Sequence, residues 1–232
     1  MRLILSALLA LSAAAAHAGP VSFANGWAEQ RLKLFSSNDY AFGNTLGIRS
    51  EGSVSLAWTS LPQAEWGARA ASWNWTVEQS VPPTDLSRKG GDDRNISLYC
   101  VFLPEDQAAA MQGAGIRSLL GNDQVRVLQY VWGGNHARGQ VIASPYGPAG
   151  QGATVALRQA STGSNRESVD LARDYATAFG GTPGALVGLA VLSWQAFVNI
   201  DFDADPLNLL PQGLPQVEAM RTYEGAFASQ ND

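Results

Sequence analysis

Cysteine is nearly absent: Cys100 is the single one among 232 residues, so no internal disulfide can form and stability has to come from packing. A lone cysteine inside an alternating apolar run reads first as a small buried side chain, with a reactive thiol or an intermolecular bridge as the alternatives. Histidine is almost as scarce, with two residues in all. His17 falls in the leader described below, which leaves His136. One histidine excludes every two-histidine metal motif and supplies at most one base for a Ser-His-Asp triad, and no G-x-S-x-G elbow accompanies it. Fifteen Lys and Arg stand against twenty Asp and Glu, a net charge of −5. The longest basic run is Arg88-Lys89, whereas a phosphate-binding surface needs clustered cations, so nucleic acid is excluded as a partner.

Long apolar runs are lacking too, except at the start. M-R-L-I-L-S-A-L-L-A-L-S-A-A-A-A-H-A places one positive charge before an apolar stretch and ends on Ala16-His17-Ala18, small residues at both recognition positions of a secretory signal peptide. Cleavage is expected after Ala18, which predicts a periplasmic or secreted protein. No later segment is continuously apolar over the roughly 18 to 20 residues that a bilayer requires, so no stable membrane insertion is expected after cleavage. The chain shows neither an internal repeat nor a low-complexity linker, and 46% apolar residues suffice for a full core. One domain is expected over residues 19–232, with an irregular tail from about residue 206.

Strand patterns dominate what is present. Ala71 to Glu78 alternates strictly, with Trp73, Trp75 and Val77 on one face and Ser72, Asn74 and Thr76 on the other. In Arg94 to Leu103, Ile96, Leu98, Cys100 and Phe102 share a face while Tyr99, Val101 and Leu103 make the other apolar as well, which predicts a central strand covered on both sides. Between them lies a proline-bearing loop ending in K-G-G-D-D-R. Thr45–Ser50 and Ser53–Trp58, separated by Glu51-Gly52, read as a hairpin. Further strands are expected at 124–132, 139–144, 153–159 and 186–192, with a last one through Trp194, Ala196, Val198, Ile200 and Phe202 that would pair with its predecessor.

Two helices are expected. Pro104-Glu105-Asp106 opens the first, with acids in its first turn. S-N-R-E at 164–167 has capping-box spacing and would start the second, whose stripe of Val169, Ala172, Tyr175, Ala176 and Phe179 ends at Gly180-Gly181. Many strands, short turns and few helices predict a mainly β fold, an antiparallel β-sandwich of jelly-roll or lectin-like type with short helices on the connecting loops.

Candidate chemistry concentrates on loops. Asp92 and Asp93 are adjacent carboxylates on a glycine-flanked turn, hard oxygen ligands that suit Ca2+. Equally, they fix the turn through hydrogen bonds to backbone amides, with Asp93 paired to Arg94 or Arg88. Asp201, Asp203 and Asp205 begin like an EF-hand loop, but Pro206 and Gln212 occupy the places of its glycine and bidentate glutamate. Trp132, ahead of Gly133-Gly134-Asn135-His136, and Tyr146 in S-P-Y-G-P are the aromatics best placed to stack on a sugar ring. Asp92, Asp93, Arg94, Trp132, His136 and Tyr146 therefore form the candidate ligand-binding set; no catalytic residue is assigned.

W-N-W-T-V-E-Q-S-V-P-P-T-D-L-S-R-K-G-G-D-D-R-N-I-S-L-Y-C-V-F, followed by Y-V-W-G-G, S-P-Y-G-P, V-D-L-A-R-D-Y-A-T-A-F-G and V-G-L-A-V, resembles exported bacterial proteins of the domain of unknown function 3047 family over roughly residues 23–191. The resemblance implies an exported, β-rich, lectin-like domain and no specific reaction. After V-G-L-A-V the chain departs from the family's acidic run and reads L-S-W-Q-A-F-V-N-I-D-F-D-A-D-P, so contacts in that run do not carry over. Together these readings predict a non-catalytic module that binds a carbohydrate or cell-envelope component. The alternatives are a polysaccharide-acting hydrolase or lyase on the same fold, with Asp92 or Asp93 as acid or base, and a structural envelope protein.

Overall fold

The computed structural model describes residues 20–31, 37–50, 55–91, 93–193, 197–200 and 207–211. In chain order its strands are β1 (Pro20–Val21), β2 (Ala28–Arg31), β3 (Asp39–Phe42), β4 (Leu46–Arg49), β5 (Ser55–Ser60), β6 (Ala68–Val77), β7 (Arg94–Leu103), β8 (Arg126–Gly133), β9 (Val141–Ala143), β10 (Gly152–Arg158), β11 (Gly163–Asp170), β12 (Ala185–Ser193), β13 (Phe197–Ile200) and β14 (Leu207–Pro211). Three short helices interrupt them: α1 (Glu105–Ala108), α2 (Ile116–Leu120) and α3 (Leu171–Phe179). The strands form two sheets of seven. One runs β1-β14-β6-β13-β4-β3 with β11 also on β6, and the other runs β2-β5-β12-β7-β8-β10-β9.

β7 is the clearest case of sequence dictating place. Apolar on both faces and buried along nearly its whole length, it lies between β12 and β8 in the middle of the second sheet. β6 instead buries every second residue from Ala71 to Val77. Its tryptophans meet rings of β8 across the core: Trp73 lies 5.7 Å from Tyr130, Trp75 lies 5.8 Å from Trp132, and the two tryptophans stand edge to face at 5.3 Å. Such pairs are each worth about 0.5–1.5 kcal/mol beyond the area they bury. They tie the two sheets together. α3 packs against β6 and β8, with Leu171 fully buried, and its Tyr175 stands edge-on to Phe102 at the end of β7.

Several expectations are corrected. β4 and β5 are not a hairpin; β4 pairs with β3 and β13, while β5 pairs with β2 and β12 in the other sheet. β4 buries only Leu46 and Ile48, whereas Ser55–Thr59 are all buried, so the two suit different positions; Glu51 and Gly52 lie outside the described residues. β6 and β7 likewise belong to different sheets, so the loop between them is a crossover. β12 and β13 also part company, because β13 joins β4 and β6; Trp194, Ala196 and Phe202 lie outside the described residues, as does the leader, residues 1–18. The expected irregular tail contains β14, which pairs with β6.

Nor is the fold purely antiparallel. The chain leaves β8, runs back as β9 at the sheet edge, and returns as β10 between the two, so β10 lies parallel to β8. The capping box at Ser164 is the sharpest correction. Residues 163–170 are a strand paired with β6 along its length, and the helix starts after Asp170, whose carboxylate accepts from Arg173 N–H at 2.9 Å.

Candidate functional site

The loop from β6 to β7 enters β7 beside the loops that follow β8 and β10, and through Leu86 and Gly90 it also reaches β9 and the loop that follows it, which lies toward the other end of the strands. Asn95, fully buried, knots them: its Oδ1 accepts from Val81 N–H at 2.8 Å, its Nδ2 donates to the Ser161 carbonyl at 3.0 Å, and its own carbonyl accepts from the Ser193 hydroxyl at 2.7 Å. Thr84 donates its hydroxyl to the Asp93 carbonyl at 2.7 Å and receives Asn135 N–H on its own carbonyl at 2.9 Å. Leu86 then plugs into Val131 and Ile142. This seating explains Gly133-Gly134. A Cβ on Gly133 would lie 2.7 Å from Arg94 Cα, and one on Gly134, at φ +69°, would lie 2.6 Å from Leu86 Cγ.

The same loop gathers His136 and Tyr146. Leu86 N–H donates to His136 Nε2 at 3.1 Å, and Asp85 Oδ1 lies 3.2 Å from that nitrogen. Asp85 in turn accepts from the Ser87 hydroxyl at 2.6 Å and the Ser87 N–H at 3.0 Å. These hydrogen bonds, the hydroxyl first, hold its carboxyl below the ordinary aspartate range. Gly90 N–H donates to the Tyr146 hydroxyl at 2.9 Å, and Lys89 Nζ lies 5.9 Å from the ring centre. Tyr146 is nonetheless 45% exposed and offers an aromatic face to solvent.

Of the candidate set, then, His136 and Tyr146 are brought onto one loop, and Asp93 sits beside it at the mouth of β7. Trp132 is corrected: its ring is fully buried against Trp75, and its Nε1 donates to Ser161 Oγ at 3.1 Å, so it offers no face to a ligand. Arg94 is corrected as a surface contact as well. Its guanidinium is buried, donating to Ser97 Oγ at 2.9 Å and to the Tyr99 hydroxyl at 2.8 Å. Asp92, Asp201, Asp203, Asp205, Pro206 and Gln212 lie outside the described residues. Among the described residues no group of three or more His, Cys, Asp or Glu side chains is arranged to hold a metal ion, and no helix is long and apolar enough to cross a membrane.

Sequence reasoning missed Asp85 and Lys89, although Asp85-x-Ser87 carries the spacing of an aspartate that turns the chain through its own side chain. It also missed two buried carboxylates. Glu167 accepts from Arg158 Nε at 2.7 Å, Arg138 Nη2 at 2.8 Å and Trp75 Nε1 at 3.3 Å. Asp174 accepts from the Tyr130 hydroxyl at 3.0 Å and Arg173 Nε at 3.2 Å. Each is paired with an arginine and a ring donor, as a buried carboxylate requires. Burial, reinforced by Asp174, pushes the Cys100 thiol far above the usual range, which makes it an inert core side chain.

No curated protein matches the chain. One family profile, described as protein of unknown function (DUF3047), matches residues 25–195, and that span takes in β2 through β12 with every described residue of the loop cluster. On that match the chain belongs to the DUF3047 family of proteins of unknown function.

Proposed function

We propose that this is an exported, non-catalytic module in which the two sheets act as the layers of a sandwich, binding a carbohydrate or other cell-envelope component at the loops around Tyr146. The observation that carries the reading is the exposed Tyr146 ring, whose hydroxyl accepts from Gly90 N–H and whose face lies near Lys89, on a crossover loop anchored by Leu86. A flat apolar face beside polar groups, its hydroxyl already tied to the backbone, is what a sugar ring stacks against. Binding is favoured over hydrolysis because His136 Nε2, the lone pair a general base would use, already accepts a backbone N–H.

Glycan-array screening of the purified protein tests this. Retention of at least one envelope or capsular polysaccharide without release of reducing ends is expected, weakened about tenfold by Tyr146→Ala, equivalent to about 1.4 kcal/mol. Release of reducing ends, or of unsaturated products, would replace it with a hydrolase or lyase. Silence in both assays would leave a structural envelope protein.

A further inference from the structure

We propose a second ligand site at the Leu103 end of β7, a pocket of about 330 Å³ lined by Glu105, Gln124, Arg126, Tyr175, Thr182 and Gly184, which takes a neutral sugar unit. β7 runs ten residues from Arg94 to Leu103, so its own ends are roughly 30 Å apart at strand rise; the loop that carries Tyr146 returns to the pocket's end of the sheet, where Gln151 Nε2 donates to the Asp123 carbonyl at 3.1 Å. The proposal shares the glycan-binding reading but stands whether or not the loops around Tyr146 bind anything.

The pocket is built rather than incidental. Its aromatic wall is Tyr175, clamped edge-on between Phe102 at 5.3 Å and Phe179 at 5.0 Å, so the ring cannot swing away. Arg126 is anchored by Nη1, which donates to the carbonyls of Asp123 and Val125, both at 2.9 Å. That leaves Nε and Nη2, a fork of donors, for a ligand. Behind the 182–184 turn, Arg69 Nη2 donates to the Pro183 carbonyl at 3.1 Å. Gly184 lies so close to the end of β7 that a Cβ there would be 2.1 Å from the Leu103 carbonyl oxygen. The site therefore holds its shape before a ligand arrives, and ordering it on binding loses little.

Its chemistry selects the ligand class. Among the lining side chains one guanidinium faces one carboxylate, and Glu105 also answers the charge of Arg69 behind the turn, so the lining offers no surplus negative charge to a simple cation and no uncompensated pair of cations to a simple anion. An amide at Gln124 and hydroxyls at Thr182 and Tyr175 add groups that both donate and accept. Paired donors and acceptors around one locked aromatic face suit adjacent hydroxyls on a ring with an apolar side. The volume lies at the low end of ligand pockets, which fits one unit of a longer chain.

Ligand-observed saturation-transfer NMR decides it, using glucose, galactose, N-acetylglucosamine, maltose and cellobiose, with acetate and glycine as charged controls. At least one sugar is expected to give transfer with the wild type and with Tyr146→Ala. Affinity should fall at least tenfold in Arg126→Gln and Glu105→Gln, surface changes that leave the melting curve in place. Tyr175→Phe, which keeps the clamp, should retain part of the binding, and Tyr175→Ala should lose it. The proposal is overturned by no transfer from any sugar, by transfer that survives both Arg126→Gln and Glu105→Gln, or by equal transfer from the charged controls. Transfer abolished by Tyr146→Ala alone would also overturn it while supporting the loop site.

Discussion

Glu167→Ala removes the acceptor shared by two arginines and a buried indole, and its effect can be worked out from the contacts. The carboxylate is fully buried, while the arginine partners reach water, Arg138 with 52% of its side chain exposed and Arg158 with 35%. Losing Glu167 strands the Trp75 indole N–H in the core, about 1–3 kcal/mol for an unsatisfied buried donor. The two arginines can turn to solvent, so each lost pair contributes no more than about 0.5–1 kcal/mol. A net loss of about 3 kcal/mol follows, and at roughly 2–4 °C per kcal/mol for a chain of this size, Tm should fall by roughly 6–12 °C. Glu167→Gln keeps an acceptor for Trp75 and should lose about half as much. Differential scanning calorimetry with urea titration reads both. Ser164→Ala is the internal control: in a capping box it would be damaging and Glu167→Gln neutral, whereas in strand β11 Ser164 makes an exposed contact with Thr76 and should be nearly neutral. A Glu167→Ala protein melting within a degree or two of wild type would refute the reasoning, and so would Ser164→Ala as the more harmful change.

Asp170→Ala should lose about 1 kcal/mol by removing the true cap of α3, seen as a lower urea midpoint; an unchanged midpoint would count against the cap. Gly188→Ala should lose about 3 kcal/mol, the upper end for overpacking, because its Cβ would lie 2.0 Å from the Trp58 ring. Trp58→Leu in the same chain should recover part of that loss, and strict additivity of the two changes would contradict the clash. Cys100 should resist a thiol-specific disulfide reagent in the native protein at pH 7–9 and react stoichiometrically in guanidinium; native labelling at a comparable rate would show that the thiol is not buried. Tyr40 is pushed up to about 12 by burial, against hydrogen bonds from Ser55 and Asn38. The folded state therefore holds this proton more tightly than the unfolded chain. Its contribution is complete below about pH 10 and is lost as pH rises to about 12. Tyr40→Phe should flatten that alkaline limb of the stability profile, and an unaltered limb would remove Tyr40 as its source.

Alternation within ten residues was enough to place β6 and β7, because side-chain parity is a local property and a strand apolar on both faces has few places to go. The same parity held information on Trp132. It follows Leu128 and Tyr130 at alternate positions and pairs with Ile96, so it shares their inward face despite standing next to a loop. What local pattern does not carry is which sheet a strand joins. β4 and β5 are adjacent in sequence and part company because their neighbours, β13 and β12, come from far along the chain. Glu167 shows the same limit in one side chain. Its spacing from Ser164 suggests a helix start, but Arg138, Arg158 and Trp75, all distant in sequence, hold it in a strand. The loop site was half legible: glycines and turn residues marked where His136 and Tyr146 would sit, whereas Asp85 and Lys89 became partners through the crossover between sheets.

β6 divides one edge between two strands, β14 against residues 68–72 and β13 against residues 76–77, while β11 occupies the other edge. Both β13 and β14 follow the last residue matched by the family profile, and β1 hydrogen-bonds to β14. A protein trimmed to the matched span would therefore keep its tryptophan core yet present a bare row of backbone donors and acceptors along β6, ready to recruit a strand from another chain. By this pairing the folding unit is expected to extend beyond the matched span. Expression work on this protein should carry the chain through at least residue 211, and a soluble, monomeric fragment ending at 195 would show that the last two strands are dispensable.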